Sequence, residues 1–211
     1  MAKLVKQVFT EQIYHLLRND ILSQSIACSQ KLNIRELQTK YGVSGSPVRE
    51  AISRLHQEGL VEYLPNVGTK VIEFKKADII ELQELHASLD CSAIKLAMKK
   101  ANFQDIAAKL LIQINNQQQH APSAAHQFDD TLYTFADNTR LQKSWEHLAG
   151  QLEIIHTIYA SQLKTSEWSD LSLHYHLAIY KAIANNDVAF AITLTEEHRA
   201  KELQLLLACI K

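Results

Sequence analysis

The sequence contains few of the residues that interrupt helices. Its 211 residues include 5 Gly and 3 Pro, and four of the Gly precede residue 69. Gly and Pro mark most sharp turns. Because they are rare beyond residue 69, helices in that part of the chain must end mainly at short polar connections. This distribution predicts a C-terminal part that is entirely helical.

Cysteine is also scarce, and long apolar runs are absent. Cys28, Cys91 and Cys209 are odd in number, far apart and in no Cys-x-x-Cys pair, which argues against a disulfide framework or a thiolate zinc site. No apolar run is long enough to cross a bilayer, and the first residues do not resemble a signal peptide. We therefore expect a cytoplasmic protein with no membrane partner, long enough for one large or two small domains.

The net charge of −1 conceals an asymmetry between the two parts of the chain. Residues 1–76 carry 11 Lys and Arg against 7 Asp and Glu, whereas the remainder carries 11 against 16. A basic N-terminal part favours nucleic-acid binding there. The excess is modest, so we expect steeply salt-dependent affinity and a homodimer that gathers enough phosphate contacts.

Residues 42–60 predict a turn followed by an amphipathic helix. Ser46 is predicted to cap this helix, Pro47 to be its first residue and Gly59 to end it. The apolar residues recur at the spacing of one helical face: Val48, Ala51, Ile52 and Leu55. With a shorter helix before it, this segment is a helix-turn-helix pattern.

The flanking segments extend that pattern to a winged helix. A first helix over 8–23, with Thr10 as its cap, is predicted to support the second, over 34–41, which Asn33 caps and after which Gly42 permits a sharp turn. Two β-rich runs, over 61–64 and 69–74, predict a hairpin joined by Pro65-Asn66-Val67-Gly68.

Four blocks of residues resemble the winged-helix domain of GntR-family transcription regulators. They are Ile13-Tyr14-x-x-Leu17-Arg18, Val43-Ser44-x-Ser46-Pro47-Val48-Arg49-Glu50-Ala51, Glu58-Gly59-Leu60-Val61 and Pro65-Asn66-x-Gly68. The resemblance implies binding to double-stranded operator DNA. It implies contacts at Arg35, Ser44, Ser46, Arg49 and Gly68.

Arg49 is the strongest candidate for reading a base, because an arginine fork can bind guanine bidentately in the major groove. Gly45 and Val67 stand where the family usually has Arg, and each loses a cation; Lys40 and Lys70 are the candidates to compensate. The alternative is that Arg49 only pairs with neighbours on its own helix, Glu50 or Ser53.

From residue 77 the apolar periodicity predicts six helices, which an antiparallel bundle would bury. They are predicted over 78–97, 103–118, 123–135, 138–163, 169–184 and 187–210. The expected architecture is mainly α, with a winged helix-turn-helix domain over 1–75 and an all-α antiparallel six-helix bundle over 76–211 that binds effector and dimerises.

This bundle resembles the effector domain, called FCD, of the FadR-type branch of GntR regulators, and its helix count resembles the shorter VanR-like subgroup. The matching residues are Glu81-Leu82-x-x-Leu85-His86-x-x-Leu89-Asp90, Phe128-x-x-x-Leu132, Asn138-x-x-Leu141, His176, Ala182-Ile183, Asp187 and His198. The resemblance implies a small-molecule effector held inside the bundle, in many members with a divalent metal.

The metal-ligand set implied by the resemblance is only partly present. His176 and His198 match its last two ligands, but Ala125 and Asp129 replace the first Asp and the first His. The apolar periodicity of their helices predicts that the side chains of His176 and His198 face the interior of the bundle and that the side chain of His174 faces away from it. Two alternatives remain: Asp129, His176 and His198 hold a divalent metal such as zinc or nickel, or they line a metal-free polar pocket.

His86 completes the predicted effector-binding set of His86, Asp129, His176 and His198. It replaces an Arg that relatives often use near the effector, so a fixed cation becomes a group that titrates near neutrality. Asp129 beside Asp130 makes the region acidic, which disfavours a simple carboxylate effector unless a metal intervenes.

Three functions are compatible with these patterns. The leading interpretation is a ligand-responsive transcription regulator that binds a two-fold operator as a homodimer. The second is a metal-dependent enzyme with a DNA-binding appendage, but its only candidate catalytic groups, Asp129, Asp130 and His86, fall in no ordered motif, so we expect no enzyme. The third is a regulator whose pocket is degenerate and empty.

Overall fold

The computed structural model describes residues 2–119, 124–160 and 165–209, and the chain forms two compact units. Unit one consists of Met1–Lys75 together with His147–Ile158. Unit two consists of Lys76–Glu146 together with Tyr159–Lys211. The chain therefore changes units at the predicted boundary after residue 75, but a later segment, 147–158, returns to unit one.

Unit one contains three helices and a two-stranded sheet from the N-terminal part of the chain. They are α1 (Ala2–Leu22), α2 (Ile34–Tyr41), α3 (Gly45–Gln57), β1 (Val61–Leu64) and β2 (Gly68–Val71). The predicted apolar face of α3 is buried, with Val48, Ala51 and Leu55 fully inaccessible to solvent. That face packs in one core with Leu17 and Ile21 of α1. The prediction of a winged helix-turn-helix is confirmed.

The ends of these helices differ in part from the predictions. Asn33 caps α2 as predicted, by accepting a hydrogen bond from the backbone of Arg35. The prediction for α3 was wrong by two residues, since Ser44 occupies the cap position and Pro47 is the third helical residue. Proline is tolerated throughout a first turn because the backbone N–H groups there have no partner within the helix. Thr10 lies within α1 instead of capping it.

The wing is an antiparallel hairpin in which Val61 pairs with Val71 and Leu64 with Gly68. Its second strand ends at Val71, three residues before the predicted end. The tip turns through Asn66 and Gly68, whose φ angles of 63° and 98° lie in the left-handed region. Glycine adopts that conformation without strain, which accounts for Gly68 at this position.

The connector between α1 and α2 adds a third segment to the wing. The backbone N–H of Leu32 donates to the carbonyl of Thr69 at 2.8 Å, and that of Val71 donates to the carbonyl of Gln30 at 2.9 Å. Lys31 and Lys70 form an antiparallel bridge between these two bonds. The connector therefore fixes β2 from the side opposite β1.

The segment 147–158, part of a later helix, packs within unit one against the end of α3. Ile154 belongs to the unit's apolar core, and Arg18 forms an ion pair with Glu153. His147 Nδ1 lies 2.9 Å from the backbone oxygen of Gln57. The helix approaches so closely that a Cβ on Gly150 would lie 2.4 Å from the carbonyl oxygen of Glu58.

Six helices follow residue 75 in the described ranges, as predicted. They are α4 (Lys76–Lys100), α5 (Phe103–Gln118), α6 (Ala124–Ala136), α7 (Thr139–Ala160), α8 (Thr165–Ala184) and α9 (Val188–Cys209). Helix α8 begins four residues before the predicted start, while the predicted ends at residues 123, 163 and 210 lie outside the described residues. In unit two α4 packs against α6 and α9, and α8 packs against α5 and α9. No helix in the described part of the chain is both long and apolar enough to cross a membrane.

Gly150→Ala is expected to lower the free energy of unfolding by about 1–3 kcal/mol, as overpacking does elsewhere. Alanine normally stabilises a helix interior relative to glycine by about 1 kcal/mol, so the sign of the change tests the close approach to Glu58. Urea unfolding followed by circular dichroism measures it. Ser144→Ala, at an exposed position of the same helix, is the control, and a stabilised Gly150→Ala variant would contradict the observed packing.

Candidate DNA-binding surface and buried charge cluster

An open groove of about 580 Å³ lies on unit one between the start of α2, the start of α3 and the wing. It is lined by Lys31, Leu32, Asn33, Ile34, Arg35, Gln38, Arg49, Tyr63, Gly68 and Thr69. Three of the predicted DNA contacts, Arg35, Arg49 and Gly68, are thus brought together. The predicted contacts Ser44 and Ser46 are exposed at the start of α3 but are not among the groove residues.

The cations of unit one fall into two groups according to whether a carboxylate pairs with them. Lys40 pairs with Asp20 at 2.7 Å, and Lys70 pairs with Glu62 at 3.1 Å. These ion pairs occupy the two lysines that were predicted to replace missing arginines. Arg18 and Arg54 are also paired with carboxylates.

The groove cations belong to the other group. Within the ranges that the structure describes, the side chains of Lys31, Arg35 and Arg49 have neither an ion pair nor a hydrogen bond to the protein. Arg49 therefore does not pair with Glu50 or Ser53, the alternative raised by the sequence. Unpaired guanidinium and ammonium groups facing one groove are suited to bind phosphates and base edges.

Gly45 has a direct role in placing Arg49. A Cβ on Gly45 would lie 3.1 Å from Nη1 of Arg49 and 3.5 Å from the amide group of Gln38. The Arg49 guanidinium therefore lies over the position that a longer side chain at residue 45 would occupy. The glycine that departs from the family pattern leaves room for the Arg49 guanidinium.

Lys31 and Tyr63 are among the groove residues that the sequence did not predict as DNA contacts. Lys31 lies beside the wing tip, where its Cε would be 3.4 Å from a Cβ on Gly68. Tyr63 on β1 is 66% exposed, which is unusual for a large aromatic side chain. Lys31 thus supplies a cation next to the position where Val67 has replaced the wing arginine.

In unit two, the most buried polar groups surround the guanidinium of Arg199. Its Nε, Nη1 and Nη2 atoms donate to Asp90 Oδ2, Glu202 Oε2 and Asp129 Oδ1, each at 2.8 Å. All four residues are at most 5% exposed. Buried charges are tolerated when they are paired and hydrogen-bonded in this way. We refer to Arg199, Asp90, Asp129 and Glu202 as the charge cluster.

Of the four predicted effector residues, Asp129 belongs to this cluster, and the three histidines lie beside it. His86 Nε2 lies 3.3 Å from Asp90 Oδ2 and 3.9 Å from Asp129 Oδ2. His198 Nε2 lies 3.3 Å from Glu202 Oε1, and its ring meets that of His176 edge-on, with the centroids 5.3 Å apart. His86, Asp129, His176 and His198 are therefore all buried in one connected region, as the sequence suggested.

Aromatic rings and one amide hold these imidazoles in place. The His86 ring stacks on Trp145, and the His176 ring stacks on Phe128 with centroids 3.9 Å apart. His176 Nδ1 also lies 2.8 Å from the side-chain oxygen of Gln117, an arrangement in which the ring donates. His174 is exposed, as predicted from its position two residues from His176.

Burial shifts the pKa of two groups in this region, one carboxyl and one imidazole. It raises the pKa of the Asp129 carboxyl well above its usual value, even though the Arg199 charge opposes the shift. Burial likewise lowers the pKa of His176 well below its usual value. Both shifts favour the uncharged form of the side chain, as expected in a medium of low polarity.

The donor set does not fit the divalent metal implied by the family resemblance. Asp129, the proposed replacement ligand, is bonded to Arg199, whose fixed positive charge would repel a metal ion at that oxygen. Across the described residues, no three His, Cys, Asp or Glu side chains are grouped to hold a metal. Ala125 lies in a part of α6 whose side chains are not described.

Two family models match the chain. The model for the FCD domain matches residues 81–201, and the model described as bacterial regulatory proteins of the gntR family matches residues 9–71. The chain belongs to the GntR family. As a GntR protein with an FCD domain, it is a ligand-responsive, DNA-binding transcription regulator.

Individual relatives agree with this assignment. The chain is 24% identical over 189 residues to the HTH-type transcriptional repressor RspR of Escherichia coli, covering 86% of this chain and 81% of that protein. It is 25% identical to the Nta operon transcriptional regulator of Aminobacter aminovorans, covering 84% and 86%. The solved structure of E. coli McbR/YncC has the same fold, with a TM-score of 0.71 at 18% identity, over 95% of this chain and 97% of that chain.

Several polar residues of this GntR protein were missed by sequence reasoning. Helical faces were assigned from apolar residues, so Arg199 and Glu202 of α9 were given no role. Glu202 is three residues from Arg199 and four from His198, and this spacing was the available signal of a buried polar stripe. Asp90 was part of the family motif but was given no role.

Lys31→Ala is expected to weaken binding to duplex DNA of mixed sequence and to reduce the slope of log affinity against log salt by about 1 per chain, because one phosphate contact is lost. Lys40→Ala, which removes a lysine already paired with Asp20, should leave the slope unchanged. Fluorescence anisotropy at several salt concentrations measures both. Equal slopes for the two variants would show that Lys31 does not contact DNA.

Proposed function

We propose that this GntR regulator binds a two-fold symmetric operator as a homodimer. The observation that carries the proposal is the groove in which Lys31, Arg35 and Arg49 are the unpaired cations among the described residues of its lining. Three such charges per chain are few for tight binding to DNA at physiological salt. Two copies on adjacent half-sites double the number of phosphate contacts and impose two-fold symmetry on the operator.

We also propose that a small molecule binds inside unit two and changes the affinity for DNA. The support is a set of buried polar side chains in and around the charge cluster: His86, Asp129, His176 and His198. A bundle that bound no ligand would not need polar side chains in its core. A degenerate pocket would be expected to have apolar replacements at these positions. The same groups do not form an ordered acid–base or nucleophilic set, so we do not propose an enzyme.

We propose that this effector binds without a divalent metal. Arg199 supplies the positive charge that a metal would otherwise bring among the carboxylates.

Because a regulator of this kind acts on operator DNA, the compartment we propose is the bacterial cytoplasm.

In vitro selection from a random duplex library is expected to enrich an inverted repeat for the wild type. Arg49→Ala should then bind the selected duplex roughly 10- to 100-fold more weakly, the cost of losing a bidentate base contact. Arg140→Ala, an exposed arginine of unit two, is the matched control and should bind normally. Sedimentation of the complex gives its stoichiometry. No enriched sequence, or one chain per site, would contradict the proposal.

Elemental analysis of protein purified without chelator or metal resin is expected to find far less than one zinc or nickel per chain. The physical reason is the guanidinium of Arg199 bonded to Asp129. His176→Ala and His198→Ala serve as comparisons. About one equivalent of metal in the wild type, lost in both variants, would establish Asp129, His176 and His198 as ligands and refute the metal-free site.

A further inference from the structure

One buried amide of unit two has no hydrogen-bond partner among the residues that the structure describes. Gln83 on α4 is 2% exposed, and neither its side-chain oxygen nor its nitrogen has a hydrogen-bond partner. Burying an amide without replacing its hydrogen bonds to water costs free energy, and native proteins satisfy nearly all such groups. Gln83 therefore requires an explanation beyond the packing of the bundle.

The position of Gln83 connects it with the charge cluster. Gln83, His86 and Asp90 are spaced at i, i+3 and i+7 and therefore lie on one face of α4. All three are buried, and Asp90 binds Arg199. The free amide thus lies on the same buried face as the predicted effector residues, one helical turn from His86.

A second buried polar group of unit two, the imidazole of His198, is also incompletely bonded. Neither ring nitrogen of His198 makes a hydrogen bond, although Nε2 lies 3.3 Å from Glu202. This side chain is fully buried. The interior of unit two therefore offers a ligand the amide donor and acceptor of Gln83 and the imidazole of His198.

The charges of the same region restrict which ligand can bind. Three carboxylates, from Asp90, Asp129 and Glu202, surround the single guanidinium of Arg199, and each is bonded to it. Even when the Asp129 carboxyl is uncharged, the carboxylates of Asp90 and Glu202 outnumber this guanidinium, so an anionic ligand would enter a region with an excess of buried negative charge. The guanidinium is already neutralised by its partners and does not attract a further anion. An uncharged polar ligand meets no such penalty.

We propose that Gln83 is an effector-binding residue and that the effector presents an uncharged, adjacent donor and acceptor, such as an amide, imide or lactam group. A carboxamide pairs with such a group through two antiparallel hydrogen bonds, which would satisfy both atoms of Gln83 at once. This inference rests on the proposed binding of an effector within unit two, and it adds the residue and the chemical class.

The first test is the stability of the ligand-free, full-length protein. Gln83→Leu keeps a similar volume and removes the unsatisfied amide, so its Tm should rise by about 2–4 °C. Gln104→Leu makes the same change at an exposed position of α5 and should leave Tm nearly unchanged. A lower Tm for Gln83→Leu would show that the amide supports the fold, which would overturn the inference.

The second test uses matched neutral and anionic probes: succinamide and glutarimide against succinate and glutarate. The neutral probes are expected to raise the Tm of the wild type and to change its affinity for the selected operator, with both effects lost in Gln83→Leu and retained in Gln104→Leu. The acids should have neither effect.

The outcomes separate this inference from the proposed function. If the acids act on the wild type and the amides do not, an effector site exists but the proposed class is wrong. If the amides act equally on the wild type and Gln83→Leu, Gln83 is not the binding residue. If none of the four probes shifts Tm, the proposed class is overturned, while selection of an operator by the wild type still tests DNA binding separately.

Discussion

In unit two the guanidinium of Arg199 binds three carboxylates that would otherwise repel one another in a buried region. Those carboxylates come from three helices, α4, α6 and α9. One planar guanidinium therefore joins the buried polar faces of these three helices. Removing one partner of such a cluster leaves uncompensated buried charge, which is far more costly than losing a surface pair. The arrangement also explains why aspartate is acceptable at position 129, where the family pattern has histidine.

The same distinction between paired and unpaired charge separates the cations of the candidate DNA-binding surface of unit one from those that hold the fold together. Lys40, Lys70, Arg18 and Arg54 have carboxylate partners and contribute to the fold, whereas the groove cations do not. The two departures from the family pattern fit this division. Gly45 gives Arg49 room over the start of α3, and Lys31 stands beside the wing tip that has lost its arginine. The net charge of the chain shows neither feature.

Sequence alone was sufficient for the fold because the decisive patterns are local. The apolar spacing of Val48, Ala51 and Leu55, the left-handed turn at Gly42 and the Asn33 cap all act within a few residues. The buried arginine was missed because periodicity assumes that charged residues face solvent, and only three-dimensional pairing with distant carboxylates makes its burial acceptable. Lys31 was missed because the connector pairs with β2, almost forty positions later in the chain.

That connector has an energetic consequence for recognition. An isolated two-stranded hairpin is at best marginally stable in water, and ordering it during association would reduce the affinity for DNA. Because the backbone of residues 30–32 bonds to β2 on its other side, the wing has a second set of hydrogen bonds that do not depend on the tip. The conformational entropy of the wing is thus lost when the chain folds, so any contact of its tip with a ligand would require no further ordering of the hairpin.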